Sequence, residues 1–287
     1  RLGESSGSMA LDSSVNGLDG TYNGPTLGTV GVPASGGDTS ADFDGINDSV
    51  NLGNFDVDGT GLTLSAWINI DDFDTSDQRI ISKAESTGSA YAEDHTWMLS
   101  TCTSGSDYVL RFRVMAGGTT ETLVASTGNL NTNRRYFVAA TYDAATDQMK
   151  LFVDGVEVGS QTHSVGGAVD KDPTQTVMIG ANPNGYAYFD GSIDEVAVFD
   201  KALTQAELQT MQAGTSGSYV VNENAARNVA ADQGVLANDS DLEGDTLTVS
   251  EVNGVGASVG SQITLASGAL LTLNADGSFE YDPNGAF

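Results

Sequence analysis

"DGSIDEVAVFDKALTQAEL", residues 190–208, decides how the rest of the chain is read. Its first part is an apolar strand pattern. Its second part is helical, with Thr204 and Glu207 fitting a capping box at the start of a short helix, the only plausible one in the chain. Strand followed by closing helix is what the end of a domain looks like. Asp194 and Glu195 sit side by side near the start of the strand, and three roles are open to them: a glycosidase's acid and base, a calcium ligand with a bystander, or a solvated strand end. Adjacent residues of a regular strand point to opposite faces, so the two cannot converge on one glycosidic bond unless a bulge intervenes.

Working outward, "TLSAWINI" from Thr63 alternates, with Leu64, Ala66, Ile68 and Ile70 on one face and Thr63, Ser65, Trp67 and Asn69 on the other. That predicts a strand with one face buried. Further strands are expected at "QRIISK", "HTWMLST", "YVLRFRVM", "RRYFVAATYD", "QMKLFVDG", "GVEVGS" and "QTVMIGA", each bounded by turn residues. In "KLFVDGVEVGS", Asp154 and Gly155 supply a two-residue hairpin turn that needs positive φ. Residues 213–218, "AGTSGS", are small and polar enough for a linker, and a second, shorter β pattern fills residues 219–287 without an obvious closing strand.

The bulk numbers agree with an all-β protein. Of 287 residues, 35 are Gly and 5 are Pro, and the formal net charge is -28 from 11 basic and 39 acidic residues. Such a charge repels nucleic acid and anionic membranes and attracts divalent cations. No apolar run reaches the ~20 residues needed to span a membrane. The single cysteine, Cys102, cannot form an internal disulfide, so a hard cation, Ca²⁺, is the expected loop clamp in a chain rich in side-chain oxygen. The abrupt start at Arg1 suggests a piece of something longer.

Read in order, "RLGESSGSMALDSSVNGLDGTY", "ADFDGINDSVNLG", "TLSAWINI", "RRYFVAATYD", "KLFVDGVEVGS" and the closing "DGSIDEVAVFDKALTQAEL" resemble the laminin G-like branch of the concanavalin A-like superfamily. The resemblance covers residues 1–212 and implies a jelly roll of two antiparallel sheets. Residues 219–287, through "VNENA", "GVLANDSDLEGDTLTV" and "LNADGSFEYDPNGAF", resemble the cadherin-like, immunoglobulin-like repeats of large bacterial surface adhesins. The expected architecture is therefore an antiparallel jelly-roll β-sandwich over 1–212, a linker over 213–218 and a small, C-terminally incomplete cadherin-like β-sandwich over 219–287.

The resemblance also implies sites. It places the first and last segments of the jelly roll side by side, so that Asp12, the Asn16 amide and the Gly17 carbonyl of "DSSVNG" join Asp194 in an oxygen cage for Ca²⁺. A second Ca²⁺ is expected on Glu223, Asp239, Asp241 and Asp245, where it would stiffen a junction between neighbouring repeats of the same long chain. Glucanases of the superfamily carry E-x-D-x-E on one strand face, whereas Ser192 and Val196 flank Asp194 here; with no nucleophile elbow either, the fragment is read as non-catalytic. A ligand site is expected on rim loops, where aromatic faces meet sugar rings and acids meet hydroxyls: Asp74, Asp77, Tyr91, Asp94, His95, Tyr186 and Tyr188 are the candidates.

These features suggest a calcium-stabilised, ligand-binding module of a bacterial surface adhesin, extracellular, recognising a glycan or a cell-surface protein. The alternatives are a spacer without ligand, and a carbohydrate-binding domain of a secreted glycan-degrading enzyme. Exposed tyrosine faces with acids at the rim favour binding, and short closed loops favour a spacer.

Overall fold

The computed structural model describes residues 2–14, 16–31, 39–73, 77–84, 95–213, 227–229, 231, 235–236, 246–282 and 284. The chain forms two compact units, Arg1–Thr215 and Ser216–Phe287. In the first unit the strands are β1 (Met9–Ala10), β2 (Gly20–Asn23), β3 (Thr26–Val30), β4 (Thr39–Asp44), β5 (Ser49–Asn51), β6 (Gly61–Ile70), β7 (Arg79–Ala84) and β8 (His95–Ser104). They continue with β9 (Asp107–Ala116), β10 (Thr119–Val124), β11 (Arg135–Asp143), β12 (Gln148–Val153), β13 (Val156–Thr162), β14 (Thr176–Ile179) and β15 (Asp190–Phe199), and helix α1 (Gln205–Ala213) follows. One sheet runs β1-β2-β5-β14-β7-β8-β9-β10 and the other β13-β12-β11-β6-β15-β4-β3, with every named pair antiparallel.

Alternation explains the core between them. Leu62, Leu64, Ala66, Ile68 and Ile70 of β6, with Val138, Ala140 and Tyr142 of the neighbouring β11, face Leu110, Phe112 and Val114 of β9 and Trp97 and Leu99 of β8 in one buried cluster. The outward side of β6 was expected to be solvated, yet Thr63 and Ser65 are also buried. Helix α1 is the reason. Leu203 and Leu208, with Met211, pack on Phe137 and Ala139 of β11, Phe152 of β12 and Trp67 of β6, so part of the second face is covered as well.

Local signals in the sequence act as expected. Asp154 and Gly155 take φ values of 51° and 72° in the β12–β13 turn. The capping box is reciprocal: the Thr204 N–H donates to Glu207 Oε2 at 2.6 Å and the Glu207 N–H donates to Thr204 Oγ1 at 3.3 Å. Strand β15 is less regular than its sequence suggests. Its pairing with β6 shifts register between Asp194 and Ala197, and Glu195 adopts φ 48°. This bulge breaks the strict alternation on which the opposite-face argument for Asp194 and Glu195 rested.

The second unit contains a four-stranded antiparallel sheet in the order β16-β19-β18-β17, from β16 (Arg227–Val229), β17 (Gln262–Thr264), β18 (Leu270–Leu273) and β19 (Phe279–Asp282). Val229, Val252 and Ala269 are buried in it.

Candidate functional site

Strands β7, β8 and β9 bring a polar cluster to the outward face of the eight-stranded sheet. Pairing aligns Arg79 with Ser100 and Ser100 with Arg111, and the next outward position on β9 is Arg113. Leu110, Phe112 and Val114 point the other way, into the core. Small Ser100 between two arginine stems lets both guanidinium groups lean onto one acid. Arg79 Nη1 and Arg111 Nη2 each lie 2.5 Å from the same oxygen, Asp77 Oδ1.

Arg79 is itself a hub. It is fully buried, its Nη2 lies 3.3 Å from His95 Nε2, its Nε donates to Asn182 Oδ1 at 3.4 Å, and its guanidinium carbon stands 6.0 Å from the centre of the Tyr186 ring. The turn carrying Asn182 and Tyr186 is fixed there because its flanks run along β7: the Gly180 N–H donates to Ile80 O, Ser82 Oγ to Ala181 O, and the Arg79 N–H to Ala187 O. Burial, then the charge of Arg79, pushes His95 down to about 3, so the ring is neutral at physiological pH. Arginine has no acceptor, so Nε2 accepts from Arg79 and the proton sits on Nδ1, which is buried without a hydrogen-bond partner. Burial also lowers the pKa of Arg79, against the pull of Asp77.

Three of the rim candidates, Asp77, His95 and Tyr186, therefore converge on one arginine. Tyr188 belongs to the same turn, half-buried, with its hydroxyl over Gly185. Asp74, Tyr91 and Asp94 lie outside the described residues. His95, the first residue of the expected strand "HTWMLST" and also a rim candidate, opens β8 and is 4% exposed, so it shapes the site from beneath and cannot reach out to a ligand. Sequence reasoning missed Arg79, Arg111 and Asn182. The available signal was basic residues inside strand patterns of a strongly acidic chain.

The seam between the first and last segments is the second region of interest. Asp194 is fully buried, and its Oδ1 accepts from the Leu2 N–H at 3.4 Å and the Glu195 N–H at 2.7 Å. Glu4, which the sequence did not single out, binds the Leu11 N–H and the Tyr22 hydroxyl, and burial, Glu4 and Asp194 together push the Tyr22 hydroxyl far up. Asp12 turns back on its own loop: Oδ1 accepts from the Ser14 N–H, and Oδ2 from Ser14 Oγ and the Leu18 N–H. Burial opposes ionisation of Asp12, yet these bonds carry its pKa below the ordinary value. Asn16 and Gly17 are exposed in the same loop. Among the described residues no group of three or more His, Cys, Asp or Glu side chains stands close enough to hold a metal. Carboxylate, amide and carbonyl oxygens are nonetheless the donors a hard cation takes, and the buried Asp194 carboxylate is the group that a cation would most relieve. Asp12, Asn16, Gly17 and Asp194 carry oxygens of that kind. Glu223, Asp239, Asp241 and Asp245 lie outside the described residues.

A cleft of about 480 Å³ on the seven-stranded sheet is lined by Val30, Asn69, Asn133, Arg134, Arg135 and Ser192, none of them singled out from the sequence. Ser192 Oγ donates to Asp42 Oδ1 and Asn69 Nδ2 to Asp71 Oδ1, so apart from Val30 the cleft lining is polar.

Two stacked antiparallel sheets with a polar cluster on an outward face define a lectin-like sandwich. The family Laminin_G_3, concanavalin A-like lectin/glucanases superfamily, matches residues 44–209, and the chain belongs to it. A bacterial Ig domain matches residues 203–287, overlapping α1. Among curated proteins none matches this sequence. Domain 4 of AbnA, an extracellular GH43 arabinanase of Geobacillus stearothermophilus solved in complex with arabinotriose, is 18% identical, with 71% of this chain and 93% of that one covered at a TM-score of 0.52. The receptor binding domain of botulinum neurotoxin C/D mosaic serotype is 16% identical, covering 72% and 48% at 0.52. A Trypanosoma rangeli sialidase is 17% identical, covering 76% and 33% at 0.51. At these identities the likeness is one of fold.

Proposed function

We propose that the first unit is a non-catalytic carbohydrate-binding module of a secreted, multidomain bacterial protein. The observation that carries this reading is the convergence of an aromatic face, Tyr186, with an acid, an amide and two guanidinium groups, Asp77, Asn182, Arg79 and Arg111, at one place on a lectin-superfamily sandwich. Sugar recognition combines those groups. Placement as an accessory domain of a glycan-degrading enzyme is better supported than the adhesin role, since the arabinanase domain of like fold was solved with an oligosaccharide. Catalysis by this unit finds no support at the closing strand, where Asp194 is sealed from solvent. The Ig domain agrees with an extracellular position beside neighbouring modules of one long chain. A single site of modest contacts binds weakly, so the parent protein would gain from multivalency.

A calcium ion on Asp12, Asn16, Gly17 and Asp194 would brace the seam between the first and last segments, away from the sugar. The test is a glycan array with the intact chain, in Ca²⁺ and in chelator, with melting followed alongside. Saccharide binding lost in Tyr186→Ala, with melting unchanged, supports the reading; a blank array in Ca²⁺ refutes it in favour of a spacer. Asp194→Asn should lower the melting temperature in Ca²⁺ and largely abolish the response to chelator. An unchanged chelator response in that variant removes the calcium assignment.

A further inference from the structure

The cleft on the seven-stranded sheet stands apart from the Tyr186 cluster, which is built on β7, β8 and β9 of the other sheet. Register makes its floor. Thr26 of β3, Asp42 of β4, Ser192 of β15, Asn69 of β6 and Arg135 of β11 are successive cross-strand partners, so five polar side chains stand in one row. Their strand neighbours Ala41, Phe43, Ile68, Ile70, Tyr136 and Ile193 lie in the core, which turns the row outward. At ~4.8 Å between strands the row runs for roughly 19 Å. Helix α1 covers the same face two residues further along β6 and β11, at Trp67 and Phe137, while every member of the row is exposed or half-buried.

Donors and acceptors are divided between wall and floor. Ser192 Oγ gives its proton to Asp42 at 3.0 Å and Asn69 Nδ2 donates to Asp71 at 2.8 Å, which leaves the Ser192 oxygen and Asn69 Oδ1 as acceptors. Donors come from residues 133–135. Asn133 sits at φ 57° with its N–H on Ile70 O, and Arg134 is steadied by Asp154 Oδ2 at 3.0 Å and by the Tyr136 ring, 4.6 Å from its guanidinium carbon. Arg135 is exposed and, among the described residues, makes no hydrogen bond or ion pair, whereas seven other basic residues each stand against a carboxylate. The volume of about 480 Å³ falls within the range of small-ligand sites. Asp42 and Asp71 lie behind the floor, and burial and then the charge of Asp42 hold Asp71 above its ordinary value, so an anion would meet a negative field. An apolar ligand would leave these groups unpaired. Hydroxyl groups, which donate once and accept twice, suit both wall and floor.

We infer that this cleft is a second saccharide site, taking a neutral oligosaccharide that lies across the strands with its hydroxyls on Arg135, Asn133, Asn69 and Ser192. It goes beyond the Tyr186 site and shares with it only the reading that the module takes saccharides.

The experiment follows the side-chain amide NMR signals of Asn69 and Asn133 in the intact chain while short neutral oligosaccharides, and uronic-acid oligosaccharides beside them, are titrated in. Calorimetry on Tyr186→Ala, with and without Arg135→Ala, runs in parallel after melting is checked. A neutral oligosaccharide that moves both amides, still binds Tyr186→Ala, and is weakened about ten-fold or more by Arg135→Ala supports the inference. Binding that leaves both amides unmoved and is lost in Tyr186→Ala overturns it and leaves the carbohydrate reading standing. Binding to Tyr186→Ala that Arg135→Ala does not weaken overturns it too, as do amides moved by acidic oligosaccharides alone. The amide signals need no substitution, so they decide the matter where a variant fails to fold. No binding to any saccharide overturns both readings together.

Discussion

His95 should make this protein sensitive to mild acid. The imidazole is 4% exposed beside Arg79, and its pKa is pushed from 6.5 down to about 3, so the folded state holds it neutral while the unfolded chain protonates it below about pH 6.5. A depressed folded-state pKa gives stability that is present in full above the unfolded value and is lost as pH falls towards the folded one. Between about pH 7.5 and about pH 4.5 the ceiling on that loss is about 2.7 kcal/mol, from two pH units of differential protonation at about 1.4 kcal/mol each. Carboxylates titrate over part of the same range in a chain of net charge -28, so the quantity to measure is a difference. Urea unfolding of the wild type and of His95→Gln, at half-unit steps, isolates it. The wild type should lose between one and about 2.7 kcal/mol more than the variant on acidification. Parallel profiles would refute the claim that His95 is held neutral by burial and Arg79.

Three other outcomes follow from the packing. Gly191 has φ 130°, and a side chain there would run into the Asn69 carbonyl across the β15–β6 ladder, so Gly191→Ala should cost more than ~1 kcal/mol in urea unfolding; an unchanged midpoint contradicts this. Leu208→Ala empties the centre of the small cluster between α1 and the seven-stranded sheet, with an expected loss of about 2–5 kcal/mol and faster hydrogen exchange confined to α1 and β11. Thr204→Ala should cost ~1 kcal/mol through the lost cap, measured as a lower melting temperature; no change would mean that the cap contributes nothing.

What the sequence disclosed followed from how local each signal is. The alternation of β6, the Asp154–Gly155 turn and the Thr204–Glu207 cap are decided within a few residues and could be read directly. Strand β10, "TTETLV", escaped because four of its six residues are polar and its faces differ little; it exists through its pairing with β9. The second buried face of β6 depends on a helix that follows more than 130 residues later in the chain. The arginine cluster was invisible for the same reason. Nothing within "QRIISK" or "YVLRFRVM" says that Ser100 will stand between Arg79 and Arg111, since that is a property of register across three strands. Nor does "IDEV" announce that the strand will bulge at Glu195.

The ends of the jelly roll are also its seam, and this bears on how the protein is made. Ser192 binds Asp42 across 150 positions, the Leu2 N–H meets Asp194 across 192, and β15 lies between β4 and β6 in the interior of its sheet. On the ribosome, β4 and β6 emerge long before the strand that joins them, and each carries an unpaired edge until β15 arrives. Synthesis at about 5–20 residues per second leaves those edges open for several seconds or more, so the nascent domain offers two unpaired strand edges to wrong partners until its last strand is made.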